Sequence, residues 1–207
     1  MHPLTLDQAV ARARDLLATA TGRVVIGITG APGSGKSTLT EALVAAVPGA
    51  VGLGMDGYHL AHSTLERLGR VPRKGAVDTF DAAGYVDLLR RIRAGEPGTI
   101  WAPEFRREIE DAIAGAVAIE PDTPLVVTEG NYLLVDTPPW SAVPTLCDEV
   151  WYVDVPEDVR LSRLVARHEW FGRSTAEAIE RSTTGSDGVN ARVVEATRHR
   201  ADAFVVT

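Results

Sequence analysis

The amino-acid sequence predicts an α/β domain whose parallel sheet is covered by helices on both faces. Short apolar runs, typical of buried strands, alternate along the chain with longer stretches of helical spacing. A glycine-rich segment, GITGAPGSGKST, joins the first strand to the next helix. The predicted strands are Val24–Thr29, Ala50–Met55, Leu125–Thr128, Glu149–Val153 and Ala203–Val206.

The predicted helices have recognisable ends. Thr5 and Gln8 are placed as a capping box, Asp81 and Gly95 bracket a helix, and Pro156 opens another. The predicted helices are Thr5 to Ala20, Lys36 to just before Pro48, Ala82–Ala94, Pro156–Trp170, and about Thr175 to His199 with a break near 185–188. Residues 59–79 and 100–120 do not fit the alternation. We predict that they are insertions at the carboxyl edge of the sheet, where ligands bind in such folds.

Composition and charge restrict the class of protein. A chain of 207 residues is expected to form one domain, 1–207, and no apolar stretch approaches the length of a membrane span. The N-terminus does not resemble a signal peptide, so we predict a cytoplasmic protein. A net charge of −7 disfavours a broad nucleic-acid-binding face. The single cysteine, Cys147, allows neither an intramolecular disulfide nor a zinc cluster and is expected to be buried.

The segment from Gly30 to Ser37 matches G-x-x-x-x-G-K-[ST], a phosphate-binding loop, in the required context between a strand and a helix. Glycines let successive N–H groups face an anion, and a lysine brings a compact charge to the outer phosphates. The hydroxyl of Ser37 can bind the Mg²⁺ of a nucleoside triphosphate. Only two of the 21 basic residues are lysine, which indicates that Lys36 is needed as an ammonium. The predicted nucleotide-binding residues of this loop are Gly30, Ala31, Pro32, Gly33, Ser34, Gly35, Lys36, Ser37 and Thr38.

Two carboxylates follow predicted strands. Asp56 ends the second strand in GLGMDGYH, and Glu129 ends the third in LVVTEGNYLL. If these strands lie beside the first, one acid can orient or deprotonate a hydroxyl while the other holds Mg²⁺. The alternative is that each is a capping or solvated acid at a strand end. Neighbouring side chains predicted to contact substrate are Tyr58, His59 and Asn131.

Two groups of basic residues are candidates for binding anions. Arg160, Arg163 and Arg167 share one helix face, where they could close over a triphosphate. The alternative, a solvated face paired with acidic neighbours, stays open for Arg160, whereas function is favoured for the other two. The second group lies in the first insertion and is expected to form a positive rim for an anionic or polyhydroxyl substrate, unless it is only a solvated loop. Its members are Arg67, Arg70, Arg73 and Lys74, with Asp78 predicted to accept hydrogen bonds from substrate hydroxyls.

Five segments together resemble a known family. They are GITGAPGSGKST, MDGYH, RKGAVDTFD, VVTEGNYLL, and RLVARH followed by GRS, and they extend from Val24 to about Asn190. The chain is similar to the phosphoribulokinase, uridine kinase and bacterial pantothenate kinase group of P-loop small-molecule kinases. The most similar subgroup is the uridine kinase-like, or fructose transport system kinase-like, bacterial proteins.

The resemblance implies a three-layer P-loop sandwich with a five-stranded parallel sheet in the order 2-3-1-4-5. It also implies that Asp56 is the general base, that Glu129 lies beside Mg²⁺, and that Arg163 and Arg167 belong to a lid over about 160–186. Members are commonly homodimers. In one departure, Arg106 of PEFRRE stands where the family often has an aspartate, which weakens the transfer of uridine specificity.

We therefore predict an ATP- and Mg²⁺-dependent kinase that phosphorylates an alcohol group of a nucleoside, a sugar or a pantothenate-like compound. A regulatory nucleotide hydrolase and a nucleotide-binding protein without turnover are the alternatives. The predicted catalytic residues are Lys36, Asp56, Arg163 and Arg167, and the predicted metal ligands are Ser37 and Glu129. The predicted substrate-binding residues are Asp56, Tyr58, His59, Arg73, Lys74, Asp78, Phe105, Glu129 and Asn131.

Overall fold

The computed structural model describes residues 2–207. Its strands are β1 (Val24–Thr29), β2 (Val51–Gly54), β3 (Ile100–Arg106), β4 (Asp111–Ile119), β5 (Leu125–Glu129), β6 (Glu149–Asp154) and β7 (Ala203–Val206). Its α-helices are α1 (Leu6–Thr19), α2 (Lys36–Ala46), α3 (His62–Arg67), α4 (Ala82–Ala94), α5 (Val143–Leu146), α6 (Glu157–Trp170), α7 (Thr175–Thr183) and α8 (Ser186–Glu195).

Five strands form a parallel sheet in the order β2-β5-β1-β6-β7. Counted among these five alone, this is the predicted order 2-3-1-4-5, and the predicted α/β class is confirmed. Two hydrophobic clusters cover the two faces of the sheet, one packed against α4 and the other against α1 and α2. β1 is buried along its whole length, as expected for the central strand of a sheet covered on both faces.

Helix caps follow the sequence closely. Both hydrogen bonds of the capping box between Thr5 and Gln8 are present at α1. The side chain of Asp81 accepts from the backbone of α4, which ends at Gly95 in the left-handed conformation. A break separates α7 from α8 as predicted, but it lies at 184–185, since residues 186–188 form the first turn of α8. None of the helices that the structure describes is long and apolar enough to span a membrane.

Several predicted boundaries differ from the structure, most of them by one residue. The second strand was predicted to reach Met55, but the chain turns into a 3₁₀ segment there that runs to Tyr58. The predicted helix over Pro156–Trp170 begins one residue later, because Pro156 is its N-cap. The last helical region stops at Glu195 rather than His199, since a separate 3₁₀ turn follows it.

The two segments that interrupt the alternation have structure of their own. Residues 59–79 contain α3 and two 3₁₀ turns, and residues 100–119 form the antiparallel hairpin β3–β4. The hairpin register shifts between Ala102 and Glu104, at Pro103, which cannot donate to the ladder. The hairpin packs on the 3₁₀ segment after β2, so closely that a Cβ on Gly57 would lie 2.5 Å from the Pro103 carbonyl oxygen. Both segments therefore lie at the carboxyl edge of the sheet.

Candidate active site

A cleft of about 770 Å³ opens where β1, β2 and β5 end. Its walls are the loop after β1, the two inserted segments, and the helices α6 to α8. Most of the residues predicted to bind nucleotide or substrate line this one cleft: Pro32, Gly33, Gly35, Lys36, Ser37, Thr38, Asp56, His59, Lys74, Phe105, Glu129, Asn131, Arg163 and Arg167.

The loop between β1 and α2 has the conformation that its glycines allow. Gly33 and Gly35 have φ values of +82° and +100°, which side-chain-bearing residues rarely adopt. A Cβ on Gly33 would lie 2.7 Å from Leu164 Cγ, so α6 packs directly on the loop. Gly35 is the N-cap of α2, and the N-terminus of that helix therefore faces the cleft.

The ammonium group of Lys36 is enclosed by the loop. Nζ donates to the carbonyl oxygens of Gly30 at 2.9 Å and Ala31 at 3.2 Å. Burial lowers the pKa of Lys36 to about 8, although the charges of Glu129 and Asp56 oppose this shift. Because phosphates would favour the charged form, the lysine is poised to take up a proton when an anion binds.

We expect nucleotide binding to be accompanied by proton uptake near pH 8.5. In the free protein a substantial fraction of Lys36 is deprotonated there, since its pKa is about 8, and phosphate oxygens would return it to the ammonium form. Calorimetry of ATP–Mg²⁺ binding in buffers of different ionisation enthalpy measures the proton count. Uptake should fall at pH 7, where Lys36 is already mostly protonated, and should vanish in Lys36→Met. Equal uptake in that variant would assign the proton to another group.

Ser37 and Glu129 meet at the start of α2. Ser37 Oγ donates to the Glu129 carboxylate, at 2.9 Å from Oε1 and 3.1 Å from Oε2. Glu129 reaches this position because β5 pairs with β1, with Glu129 opposite Ile28. Burial raises the pKa of Glu129, while Lys36 and the Ser37 hydrogen bond act in the opposite direction.

The oxygen atoms of Ser37 and Glu129 suit Mg²⁺, which prefers hard oxygen ligands and often takes few of them from the protein. Among residues 2–207, no group of three or more His, Cys, Asp or Glu side chains could hold a metal without other ligands. The pair therefore fits a magnesium ion that arrives with nucleotide phosphates and keeps other oxygen ligands.

Asp56 lies at the carboxyl end of β2, across the cleft floor from Lys36. Its side chain is 46% exposed and open to the cleft. His59 packs between the rings of Phe80 and Phe105, with centroids 4.1 and 4.9 Å away. His59 Nδ1 donates to the Asp56 carbonyl oxygen at 2.8 Å, which fixes the ring beside the carboxylate. His59 is therefore held between two aromatic rings at the edge of the cleft, where it was predicted to contact substrate.

The three arginines of α6 divide into two roles. Arg160 is buried, forms a two-bond ion pair with Glu157, and donates to the carbonyl oxygen of Pro32 at 3.2 Å. Arg163 lines the cleft and donates to the Ser34 carbonyl oxygen at 3.3 Å. Arg167 also lines the cleft, and burial followed by the charge of Arg107 lowers its pKa. Arg160 thus fastens α6 to the loop, whereas Arg163 and Arg167 face the space beside it.

Replacing Arg160 should reduce stability. Arg160→Met leaves the Pro32 carbonyl oxygen without its donor and Glu157 without its partner, so we expect a loss of about 1–3 kcal/mol in the free energy of unfolding. Urea unfolding measures it, and Arg163→Met, which replaces an exposed arginine one turn along, is the matched control. A loss as large in the control would show that the helix face, rather than this contact, sets the stability.

Several predicted site residues lie elsewhere. Tyr58, predicted to contact substrate, packs on Tyr85 with ring centroids 5.4 Å apart and does not line the cleft, because the 3₁₀ turn directs His59 there instead. Arg73 and Asp78, also predicted to contact substrate, form an ion pair with each other at 2.8 Å outside the cleft lining. That contact lowers the pKa of Asp78. Three loop residues predicted to bind nucleotide, Gly30, Ala31 and Ser34, are absent from the cleft lining too.

The cleft also contains residues that the sequence predictions do not include. His168 Nε2 lies 2.6 Å from Asp187 Oδ2, which joins α6 to α8. Asn190 of α8 and Tyr132 both donate to the Gly75 carbonyl oxygen, at 3.0 and 2.6 Å, and so hold the first insertion. Arg107 and Arg181 line the cleft from the hairpin and from α7. The only sequence signal for Asp187 is its place in the segment Gly-Ser-Asp-Gly, which was used to predict a helix break.

The model of one protein family, described as the phosphoribulokinase / uridine kinase family, matches residues 25–205. The chain belongs to this family. It is a P-loop kinase, and the family match agrees with the resemblance of its sequence motifs. The match includes the loop, both strand-end carboxylates and the arginines of α6.

Individual relatives are similar over most of their length. A Schizosaccharomyces pombe protein named "Putative uridine kinase C227.14" is 36% identical over 185 residues, which cover 84% of this chain and 78% of the relative. An Escherichia coli protein, "Uncharacterized protein YggC", is 32% identical over 88% of this chain and 77% of its own. The crystal structure of a "putative fructose transport system kinase" from Silicibacter sp. TM1040 superimposes with a TM-score of 0.86, at 36% identity, over 95% of this chain and 98% of that one.

Proposed function

We propose that the protein is an ATP- and Mg²⁺-dependent kinase that phosphorylates a hydroxyl group of a small molecule, namely a nucleoside, a sugar or a pantothenate-like compound. The observation that carries the proposal is that the phosphate-binding loop, Asp56 and Glu129 line one cleft. A volume of about 770 Å³ leaves room for a second substrate beside the nucleotide phosphates.

In the proposed reaction, the acceptor oxygen attacks the γ-phosphorus of ATP. The bond from that phosphorus to the β–γ bridging oxygen breaks, ADP leaves, and the hydroxyl proton passes to Asp56. Lys36, the loop amides, Arg163 and Arg167 hold the phosphates and stabilise the charge that spreads over the transferred group. Bound at Ser37 and Glu129, Mg²⁺ would neutralise charge on the β- and γ-phosphates.

The inserted segments favour a kinase over a regulatory hydrolase. His59 and Lys74 from residues 59–79, and Phe105 from the hairpin, form a wall opposite the loop. An acceptor needs such a wall, with an aromatic surface and polar groups, whereas hydrolysis of nucleotide by water does not. We propose that residues 59–79 and 100–120 bind the acceptor and that residues 160–186 act as a lid over the phosphates.

The test is whether ATP consumption depends on an added hydroxyl compound. A coupled assay of ADP release with purified protein, ATP–Mg²⁺ and a panel of nucleosides, sugars and vitamins should identify acceptors that stimulate turnover, and mass spectrometry should identify their phosphate esters. Acceptor-independent ADP release across the whole panel would favour the hydrolase. Tight ATP binding with no ADP release would favour a binding protein without turnover.

A further inference from the structure

The cleft carries a surplus of positive charge. Seven lysine and arginine side chains and four carboxylates line it, although the whole chain has a net charge of −7. ATP with one bound Mg²⁺ brings about two net negative charges. One positive charge is therefore left without a counter-ion after the nucleotide has bound, and the second substrate is the remaining component that could supply the counter-ion.

Arg107 is the strongest candidate for the side chain that carries this remaining positive charge. It follows the last residue of β3, at the tip of the hairpin, and lines the cleft. The adjacent Arg106 pairs with Glu104 at 2.7 Å and stays outside the cleft lining. Among residues 2–207, the Arg107 guanidinium has neither an ion pair nor a hydrogen bond, and the carboxylate on which its charge acts, Glu129, is bound by Ser37.

Arg107 lies within electrostatic range of the reacting centre. Its charge contributes to the lowered pKa values of Lys36 and Arg167. Arg181 of α7 likewise acts on Arg167, and its buried Nε has no hydrogen-bond partner in the part of the chain that the structure describes. Guanidinium groups from the hairpin, α6 and α7 thus face one space. Their positive charges repel one another, and a bound anion would offset this repulsion.

In the proposed function the nucleotide phosphates have their own partners on the opposite side of the cleft. Lys36, Arg163 and the N-terminus of α2 belong to the loop side of the cleft. Arg107 stands on the hairpin side, together with Phe105 and with Lys74, whose Nζ lies 5.3 Å from the centre of the Phe105 ring. Lys74 pairs with Glu110, at 3.4 Å, whereas Arg107 forms no ion pair in the part of the chain that the structure describes.

From these positions we propose that the acceptor is an anionic hydroxyl compound, and that Arg107 binds its carboxylate or phosphate group, with Arg181 as the second donor. An arginine fork suits both anions because each presents paired oxygens. This inference rests on the proposed kinase function and adds the charge of the acceptor to it.

Matched pairs of acceptors test the proposal. Each pair differs in one anionic group: pantothenate and pantothenol or glycerate and glycerol for a carboxylate, and ribulose 5-phosphate and ribulose for a phosphate. Wild-type protein should use a charged member with the higher kcat/KM. Arg107→Gln should raise KM for that acceptor by about 10- to 100-fold, on the scale of a lost hydrogen bond to a charged group, with KM for ATP changed much less. Arg106→Gln, on the same hairpin but outside the cleft, should leave both values unchanged.

The outcomes separate this inference from the proposed function. A KM increase confined to the charged acceptor in Arg107→Gln supports it, and the pair that responds identifies the anion. Equal use of both members of every active pair, or a KM increase for ATP instead of the acceptor, overturns it while the kinase assignment stands. If no compound stimulates ADP release by the wild type, the proposed function fails and this inference fails with it.

Discussion

Asp56→Asn is expected to bind ATP–Mg²⁺ within a few-fold of the wild-type affinity and to lose about 10²- to 10⁴-fold in acceptor phosphorylation, the range for removal of a positioned acid or base. The amide keeps the shape of the side chain but cannot take the hydroxyl proton. Affinity should persist because, in the proposed function, the loop and Lys36 bind the nucleotide phosphates and Asp56 does not. Calorimetric ATP binding beside acceptor-dependent ADP release measures both quantities.

A matched control for this variant is available in the same sheet. Asp154 also ends a strand, but it pairs with Arg198 and lies outside the cleft lining. Asp154→Asn should therefore keep wild-type turnover. Full acceptor phosphorylation by Asp56→Asn would mean that another group takes the proton, and His59, which lies beside Asp56, would be the next candidate. Slow hydrolysis of ATP to water should persist in Asp56→Asn, since it does not depend on orienting the acceptor.

Local motifs predicted most of the residues on the loop side of the cleft. The residues of the phosphate-binding loop lie in one short segment. The glycine conformations and the contacts of Lys36 with the loop are therefore local, and the motif is enough to predict them. The caps at Thr5 and Asp81 were predictable for the same reason. The strand order depends on contacts between distant parts of the chain. It could be predicted only because five segments of the sequence resemble a known family.

The side of the cleft formed by the two insertions was harder to predict because it depends on turns and tertiary contacts. Tyr58 and His59 are neighbours in sequence, and only the 3₁₀ turn after β2 determines that His59 faces the cleft while Tyr58, half-buried, packs against the core. At the hairpin tip, Arg106 pairs with Glu104 outside the cleft, whereas its neighbour Arg107 lines the cleft. The basic residues of the first insertion looked alike in sequence, yet Arg73 is paired with Asp78 and only Lys74 reaches the cleft.

Lys36→Met is expected to abolish measurable phosphoryl transfer while the protein stays folded, and Lys36→Ala should do the same. In the proposed function the ammonium of Lys36 binds the phosphates, so its removal takes away transition-state stabilisation that an uncharged side chain cannot supply. Lys36→Arg should also be strongly impaired, because the larger planar guanidinium does not fit where Nζ lies between the Gly30 and Ala31 carbonyl oxygens. Turnover with the best acceptor of the panel measures the loss.

The lowered pKa of Lys36 also predicts how Lys36→Met changes the stability of the fold with pH. The pKa of Lys36 falls from 10.5 in the unfolded chain to about 8 in the fold, so the folded state disfavours the charged form. Below pH 8 Lys36 is protonated in both the folded and the unfolded state, and burying its charge lowers the free energy of unfolding by the full amount. As pH rises toward 10.5 this destabilisation disappears. Lys36→Met should therefore gain stability over the wild type at neutral pH, with a gain that shrinks between pH 8 and 10.5. Urea unfolding at several pH values measures it. A variant that unfolds at neutral pH, or that retains wild-type turnover, would show that Lys36 supports the loop rather than the phosphates.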